Sequence, residues 1–188
     1  MKFQSSSYAL APNVRRDFKD VEDKLRGEDF AILEKKRLKN DLEAYSYEMK
    51  SDIDSYGKLE KYIEAAQKAL FMTDIDKTVE WLYDDGEDAE SEEYSLRLTN
   101  FKAIGDPAKK RHFYHSELPT YFTQWDKVNN LINSKLVDIE HLTDSQKELI
   151  TKKQSEALAL FAGVKAEQES KPLFENPSYS VEQIDNII

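Results

Sequence analysis

Leu38-Lys39-Asn40-Asp41-Leu42-Glu43-Ala44-Tyr45-Ser46-Tyr47-Glu48-Met49-Lys50-Ser51-Asp52-Ile53 carries its apolar side chains at Leu38, Leu42, Tyr45, Met49 and Ile53. Steps of three and four put these residues on one face of a helix, because a helical turn takes about 3.6 residues, whereas a strand needs steps of two. The same period holds upstream in Val14, Phe18, Val21 and Leu25. Between the two runs, Gly27 and the shift of phase through Phe30, Ile32 and Leu33 predict either a break or a kink in one long helix.

Downstream, Tyr56-Gly57 marks a boundary, and Ile63, Ala66, Leu70 or Phe71, Ile75, Val79 and Leu82 form a second stripe. Asp84-Asp85-Gly86-Glu87-Asp88 stops it, with Gly86 expected in the left-handed conformation that a residue without Cβ adopts at a helix C-terminus. Ser91 is the expected N-cap of a third helix, with Glu92 and Glu93 favourable near its dipole. Its stripe is Tyr94, Leu98, Phe101 and Ile104, and Gly105-Asp106-Pro107 is expected to end it.

A fourth helical segment is predicted from Ala108 to about Leu136, with Tyr114, Leu118, Tyr121 or Phe122, Trp125, Val128 and Ile132 on one face; Pro119 implies a restart or a kink. Thr143-Asp144-Ser145-Gln146 is a capping-box pattern opening a fifth helix through Leu149, Ala157, Leu160 or Phe161 and Val164. A loop with Pro172 and Pro177 leads to a second such pattern, Ser180-Val181-Glu182-Gln183, and a short helix to Ile188. No segment alternates with period two. The expected fold is all-α: an antiparallel bundle of three to four helices over 14–135, a helical extension over 136–188 packing on it, and a leader or linker over 1–13. Short connections at Asp84 to Ala89 and Gly105 to Pro107 are expected to join antiparallel neighbours.

The 188 residues hold 27 Lys plus Arg against 37 Asp plus Glu, a formal charge of −10. That balance argues against nucleic acid or an anionic membrane as the main partner, since both require a positive footprint. Cysteine is absent, which excludes disulfides, thiolate zinc sites and thiol catalysis. No apolar run approaches the roughly 20 residues of a membrane span. Met1 to Ser7 reads as a polar leader, and Tyr8 to Pro12 is too short for a signal-peptide core. The only near approach to a glycosylation sequon, Asn176-Pro177-Ser178, is blocked by its Pro, and a cytoplasmic location is expected.

The five glycines are isolated, so no phosphate-cradling loop is available. His112 and His115 have a metal-ligand spacing, yet beside Lys109, Lys110 and Arg111 they read as a solvated helical face; His141 reads as a surface or capping residue. The acidic run Asp84 to Asp88 lacks the carboxylate pattern of a calcium loop and reads as a solvated turn. Trp81-Leu82-Tyr83 and Tyr45-Ser46-Tyr47 read as core and rim of a bundle, not as base-stacking platforms. A di-iron bundle would need Glu-x-x-His on two helices, which is missing. The segment is therefore read as non-enzymatic, with no cofactor and no metal of its own.

Two stretches go beyond generic helix. Asn40 to Met49 resembles the Asn-x-Leu-Glu-x-Tyr-x-Tyr run of the heat shock protein 70 superfamily, in the helix that begins its C-terminal lid. Glu80-Trp81-Leu82-Tyr83-Asp84-Asp85-Gly86-Glu87-Asp88-Ala89, then Tyr94, Leu98 and Lys102 to Pro107, is similar to that superfamily's next signature. The helical continuation, with Trp125 and the ending from Asn176-Pro177 to Ile187, is similar to the large branch, the heat shock protein 110 and glucose-regulated protein 170 chaperones.

The resemblance implies a lid-like bundle preceded by an ATP-binding domain and a β-sandwich peptide-binding domain. It implies a nucleotide exchange co-chaperone that binds the nucleotide-binding domain of a heat shock protein 70 partner and a holdase for unfolded polypeptide, cytoplasmic or in the endoplasmic reticulum lumen. Asn40 and Glu43 match family positions on the partner-facing helix and project from one face, being three apart. A lid that closes over peptide and a scaffold bundle without a chaperone link are the competing readings.

Overall fold

The runs from Val14 to Leu25 and from Leu38 to Ile53 form one uninterrupted helix. In the computed structural model, which describes residues 11–136 and 141–187, α1 spans Pro12–Ile53, with Pro12 at its first position, where its missing N–H costs nothing. Residues 1–10 of the expected leader, residues 137–140 at the start of the extension and Ile188 lie outside the described residues. Gly27 causes no break. The two halves of α1 differ instead in what lies beside them: from Arg15 to Leu33 every residue is exposed on all sides of the helix, and burial begins only at Glu34. Leu42, Tyr45, Ser46, Met49 and Ile53 are buried, whereas Phe18, Val21, Leu25, Phe30, Ile32 and Leu33 are each more than half exposed.

A 3₁₀ turn at Glu60–Tyr62 leads to α2, Ala65–Leu82, which buries Phe71, Ile75, Thr78 and Leu82. Phe71, not Leu70, is the inward residue; Leu70 is 69% exposed, and Ala66 is also at the surface. Gly86 is not a left-handed cap, because no described residue has a positive φ. The turn closes with Gly86 N–H donating to the Trp81 carbonyl at 2.7 Å, and a Cβ on Gly86 would lie 2.5 Å from the Trp81 indole. Here glycine is required by the close approach of a ring.

The larger departure is α3. It runs Ser91–Lys135 as a single helix of 45 residues, through Gly105, Pro107 and Pro119, so the expected stop at Gly105 to Pro107 does not occur and no antiparallel connection lies there. Ser91 is the first helical residue and Glu90 the N-cap, with no side-chain capping bond, which also corrects the expected cap. Gly105 is buried against α1, where a Cβ would lie 2.3 Å from both the Met49 sulfur and the Tyr45 hydroxyl. Glycine here admits a neighbouring helix and does not end its own. An interior Pro costs about 3 kcal/mol. Burial of a large apolar side chain returns about 1.5–3 kcal/mol, and Phe101, Tyr114, Leu118 and Trp125 are all buried near the two prolines.

Paired contacts fix the directions. Lys50 Nζ lies 2.5 Å from Asp76 and Tyr83 meets Glu43, so α2 is antiparallel to α1. Tyr45 Oη donates to Asp106 at 2.8 Å and Lys109 pairs with Glu48 at 2.8 Å, so α1 and α3 run the same way. The Phe71–Phe101 and Trp81–Tyr94 ring contacts, at 5.4 and 5.6 Å, set α2 antiparallel to α3. The first core lies among these three helices, from Leu42 to Ala108.

A second core surrounds the C-terminal half of α3. The helix α4, Asp144–Ser170, folds back along it, with Trp125 stacked on Phe161 at 5.3 Å and Gln154 donating to Asn129 and Asn133 at 2.7 and 2.8 Å. The short α5, Val181–Asp185, seats Ile184 in the same core. Both expected capping boxes are present: Thr143 with Gln146, and Ser180 with Gln183. The architecture is an all-α helical bundle, with no strand among the described residues.

Gly105→Ala should destabilise the fold. Overpacking costs about 1–3 kcal/mol, against a gain of about 1 kcal/mol from the helix preference of Ala, and a chain of this size loses about 2–4 °C in Tm per kcal/mol. An unchanged or raised Tm would contradict the close approach of α1. A second outcome concerns alkaline pH. Burial pushes the Tyr114 hydroxyl up to about 12, and burial with the Asp106 carboxylate raises Tyr45 still more. The unfolded chain releases these protons near pH 10, so stability should fall from about pH 10 upward. Tyrosinate absorbance and urea midpoints measured together check this; stability constant from pH 9 to 12 would contradict it.

Candidate functional site

The face that carries Asn40 and Glu43 is the seam between α1 and the end of α2. Asn40 is exposed, and its amide has no hydrogen-bond partner among the described residues. Glu43 is half-buried, and its carboxylate accepts the hydroxyl of Tyr83, just past the end of α2. That bond, followed by the effect of nearby Tyr47, raises the pKa of Tyr83. Tyr47 and Tyr83 are 48% and 63% exposed, so a polar amide, a carboxylate and two phenol rings share one open surface. One turn earlier, Arg37 holds Glu34 and Asp41, its Nη1 donating to Asp41 Oδ2 at 2.8 Å. The spacing-based expectation that Asn40 and Glu43 share a helix face agrees with α1; the link from Glu43 to Tyr83 had no sequence signal.

The acidic turn beside this face is tied down by its own backbone. Tyr94 Oη donates to the Gly86 and Glu87 carbonyls at 2.5 and 3.1 Å, Lys39 donates to the Glu87 carbonyl at 3.1 Å, and Lys35 to that of Asp88 at 2.9 Å. A calcium loop combines carboxylates with a backbone carbonyl, and the carbonyls of Gly86, Glu87 and Asp88 already accept these bonds. Among the described residues no group of three or more His, Asp or Glu side chains is placed to hold a metal ion. Trp81 is held between Gly86 and the Arg97 guanidinium, which lies 3.8 Å from the ring centroid. It belongs to the rim of the bundle.

His112 and His115 correct the sequence reading. Both are half-buried instead of forming a solvated face, and they pack on Tyr62 with ring centroids 5.3 and 5.8 Å apart. Tyr62 lies far upstream, so its approach depends on the continuity of α3. His141 is exposed, as expected. Two residues without an assigned role hold segments together here: Arg111 links the first core to the returning chain, and Glu167 ties α4 to it. Arg111 donates through Nε and Nη2 to the Tyr62 carbonyl at 3.1 and 2.7 Å and through Nη1 to Asn176 Oδ1 at 2.9 Å. Glu167 Oε1 accepts from Ser178 N at 2.8 Å, Ser178 Oγ at 2.9 Å and Lys171 Nζ at 2.8 Å. The four-residue spacing of Glu167 and Lys171 was the one visible hint.

No family model matches the chain, and no solved structure matches it. Curated relatives do. A 97 kDa heat shock protein of Mesocentrotus franciscanus is 27% identical over 176 residues, covering 89% of this chain and 20% of that protein. Heat shock protein 88 of Dictyostelium discoideum is 24% identical over 175 residues, covering 90% of this chain and 22% of that protein. The chain is homologous to heat shock proteins of the 70 kDa family. Heat shock 70 kDa protein 4 of Rattus norvegicus, 31% identical over 135 residues, covers 67% of this chain and 16% of its own length. The chain thus spans about a fifth of the length of the first two relatives. No helix among the described residues is long and apolar enough to cross a membrane.

Because the carbonyls of the acidic turn are already engaged, millimolar calcium should leave Tm unchanged. A rise of several degrees, reversed by chelation, would show that the turn opens to take the ion.

Proposed function

We propose that this chain is the C-terminal helical arm of a large heat-shock chaperone, one that acts as a nucleotide exchange co-chaperone and as a holdase for unfolded protein. The carrying observation is the extent of the homology: it covers 89% and 90% of the chain in two large relatives and so reaches beyond the first core into the extension. The lid of an ordinary heat shock protein 70 has no counterpart for α4 and α5 in the resemblance. On this reading the nucleotide-binding domain of a heat shock protein 70 partner docks on α1, ATP is bound by a domain outside this chain, and the protein is cytoplasmic.

The physical task of such an arm is modest. It needs only to bind the open form of the partner better than the closed form, each 1.4 kcal/mol of preference shifting that equilibrium about tenfold. A stiff support serves this purpose, and the N-terminal half of the unbroken, 45-residue α3 packs against α1 and α2. The free amide of Asn40 and the Tyr83-anchored carboxylate of Glu43 are the polar groups we assign to contact the partner. Anchoring matters because a carboxylate already held in place loses less conformational freedom on binding.

Asn40→Leu with Glu43→Gln in the full-length protein should weaken binding to the partner's nucleotide-binding domain at least tenfold and slow the ADP release it stimulates, with helical circular dichroism unchanged. Unchanged affinity in the double variant would overturn the assignment of this face. Absence of any binding by the wild-type protein would overturn the co-chaperone reading itself.

A further inference from the structure

The open stripe on the first half of α1 and the groove beside Phe122 and Phe161 contain nothing that selects an occupant. The return of the chain onto α3 after α4 is different, because a small set of ionisable groups holds it. Glu167 Oε1 receives three donors, two from Ser178 and one from Lys171, and Lys171 Nζ also donates to the Asn176 carbonyl at 2.7 Å. Arg111 reaches the same segment through Asn176. Beneath it lies a cavity of about 10 Å³ bordered by Tyr114, His115, Glu167, Pro172 and Pro177. That volume is about the limit for a single water molecule.

We propose that residues 171–180 form a proton-operated clasp: neutral His115 lets the segment close over α3, and protonated His115 releases it together with α5. The charges around the imidazole give the sign. On its own helix it meets Arg111, already cationic, and His112; from the first core, Tyr62 packs against it without charge. From α4 and the return segment it faces Glu167, Lys171 and the more exposed Glu175. Glu167 holds Lys171 and Ser178 through Oε1, while its Oε2 is buried without a donor among the described residues, so the carboxylate attracts a charged imidazole; the loss of water beneath the two prolines is the larger effect. Burial holds the His115 pKa below its ordinary value, with Glu167 opposing and His112 adding to the effect.

A group that binds protons more tightly when open makes closure weaken as pH falls from about 6.5, the loss levelling off below the closed-state pKa. Burial pushes the Glu167 carboxyl up, but the bonds from Lys171 and Ser178 outweigh this and hold it below the usual carboxylate range. Its own loss therefore falls at lower pH, separate from that of His115. Release uncovers Ile184, Leu118 and Val164, so the device would turn acidification into an exposed apolar surface.

Amide hydrogen exchange of Ser178, corrected for intrinsic rates, tests this in the 188-residue chain, with His115 titrated in parallel by nuclear magnetic resonance. Protection of the Ser178 amide should fall several-fold, and by no more than about tenfold, between pH 7.5 and 5.5, levelling off below the pH at which His115 titrates in the closed chain, while that of Phe161 holds. In His115→Gln the fall should move to the carboxylate range, whereas in His112→Gln it should remain. Constant protection in the wild type, or the same fall in His115→Gln, would overturn the clasp.

Discussion

Everything else in the fold depends on how closely α1 approaches the middle of α3. Tyr45 and Met49 lie against the bare backbone of Gly105, and the Tyr45 hydroxyl donates to Asp106 at 2.8 Å. A side chain at position 105 would separate the helices and remove both the apolar contact and the hydrogen bond. The contact also falls two residues before Pro107, where α3 is weakest as an isolated helix. Packing from α1 thus supplies, at the point of need, the stability that local sequence withdraws.

Continuity at that point makes one structure of two cores. The first core is closed by the N-terminal half of α3 and the second by its C-terminal half, and at about 1.5 Å per residue the whole helix is close to 68 Å long. Arg111 strengthens the junction, since its guanidinium binds the Tyr62 carbonyl on one side and Asn176 on the other. On the proposed reading of the chain as an arm, this junction would hold the extension rigidly to the elements that carry Asn40 and Glu43.

Much of this was legible because it is local. The stripe from Leu38 to Ile53 and the capping boxes at Thr143 and Ser180 depend on residues within a few positions of one another, and they form as read. Gly105 and Pro107 misled for the complementary reason: their local meaning is a helix stop, and only Met49 and Tyr45, more than fifty residues away, reverse it. His112 and His115 failed likewise, because their burial comes from Tyr62 and from a segment returning after α4. At the candidate site, the shared face of Asn40 and Glu43 follows from spacing, whereas the bond to Tyr83 joins two helices and leaves no trace in either.

The unbroken α3 is therefore the claim to measure. The chain has no cysteine, so Leu96→Cys and Lys127→Cys, both at exposed positions, can be spin-labelled without background. At about 1.5 Å per residue the labelled backbone positions are separated by roughly 46 Å, and one narrow distance distribution is expected near that value. A broad distribution centred well below 40 Å would mean that the helix stops at Gly105 to Pro107, and that the two cores are not carried by one strut.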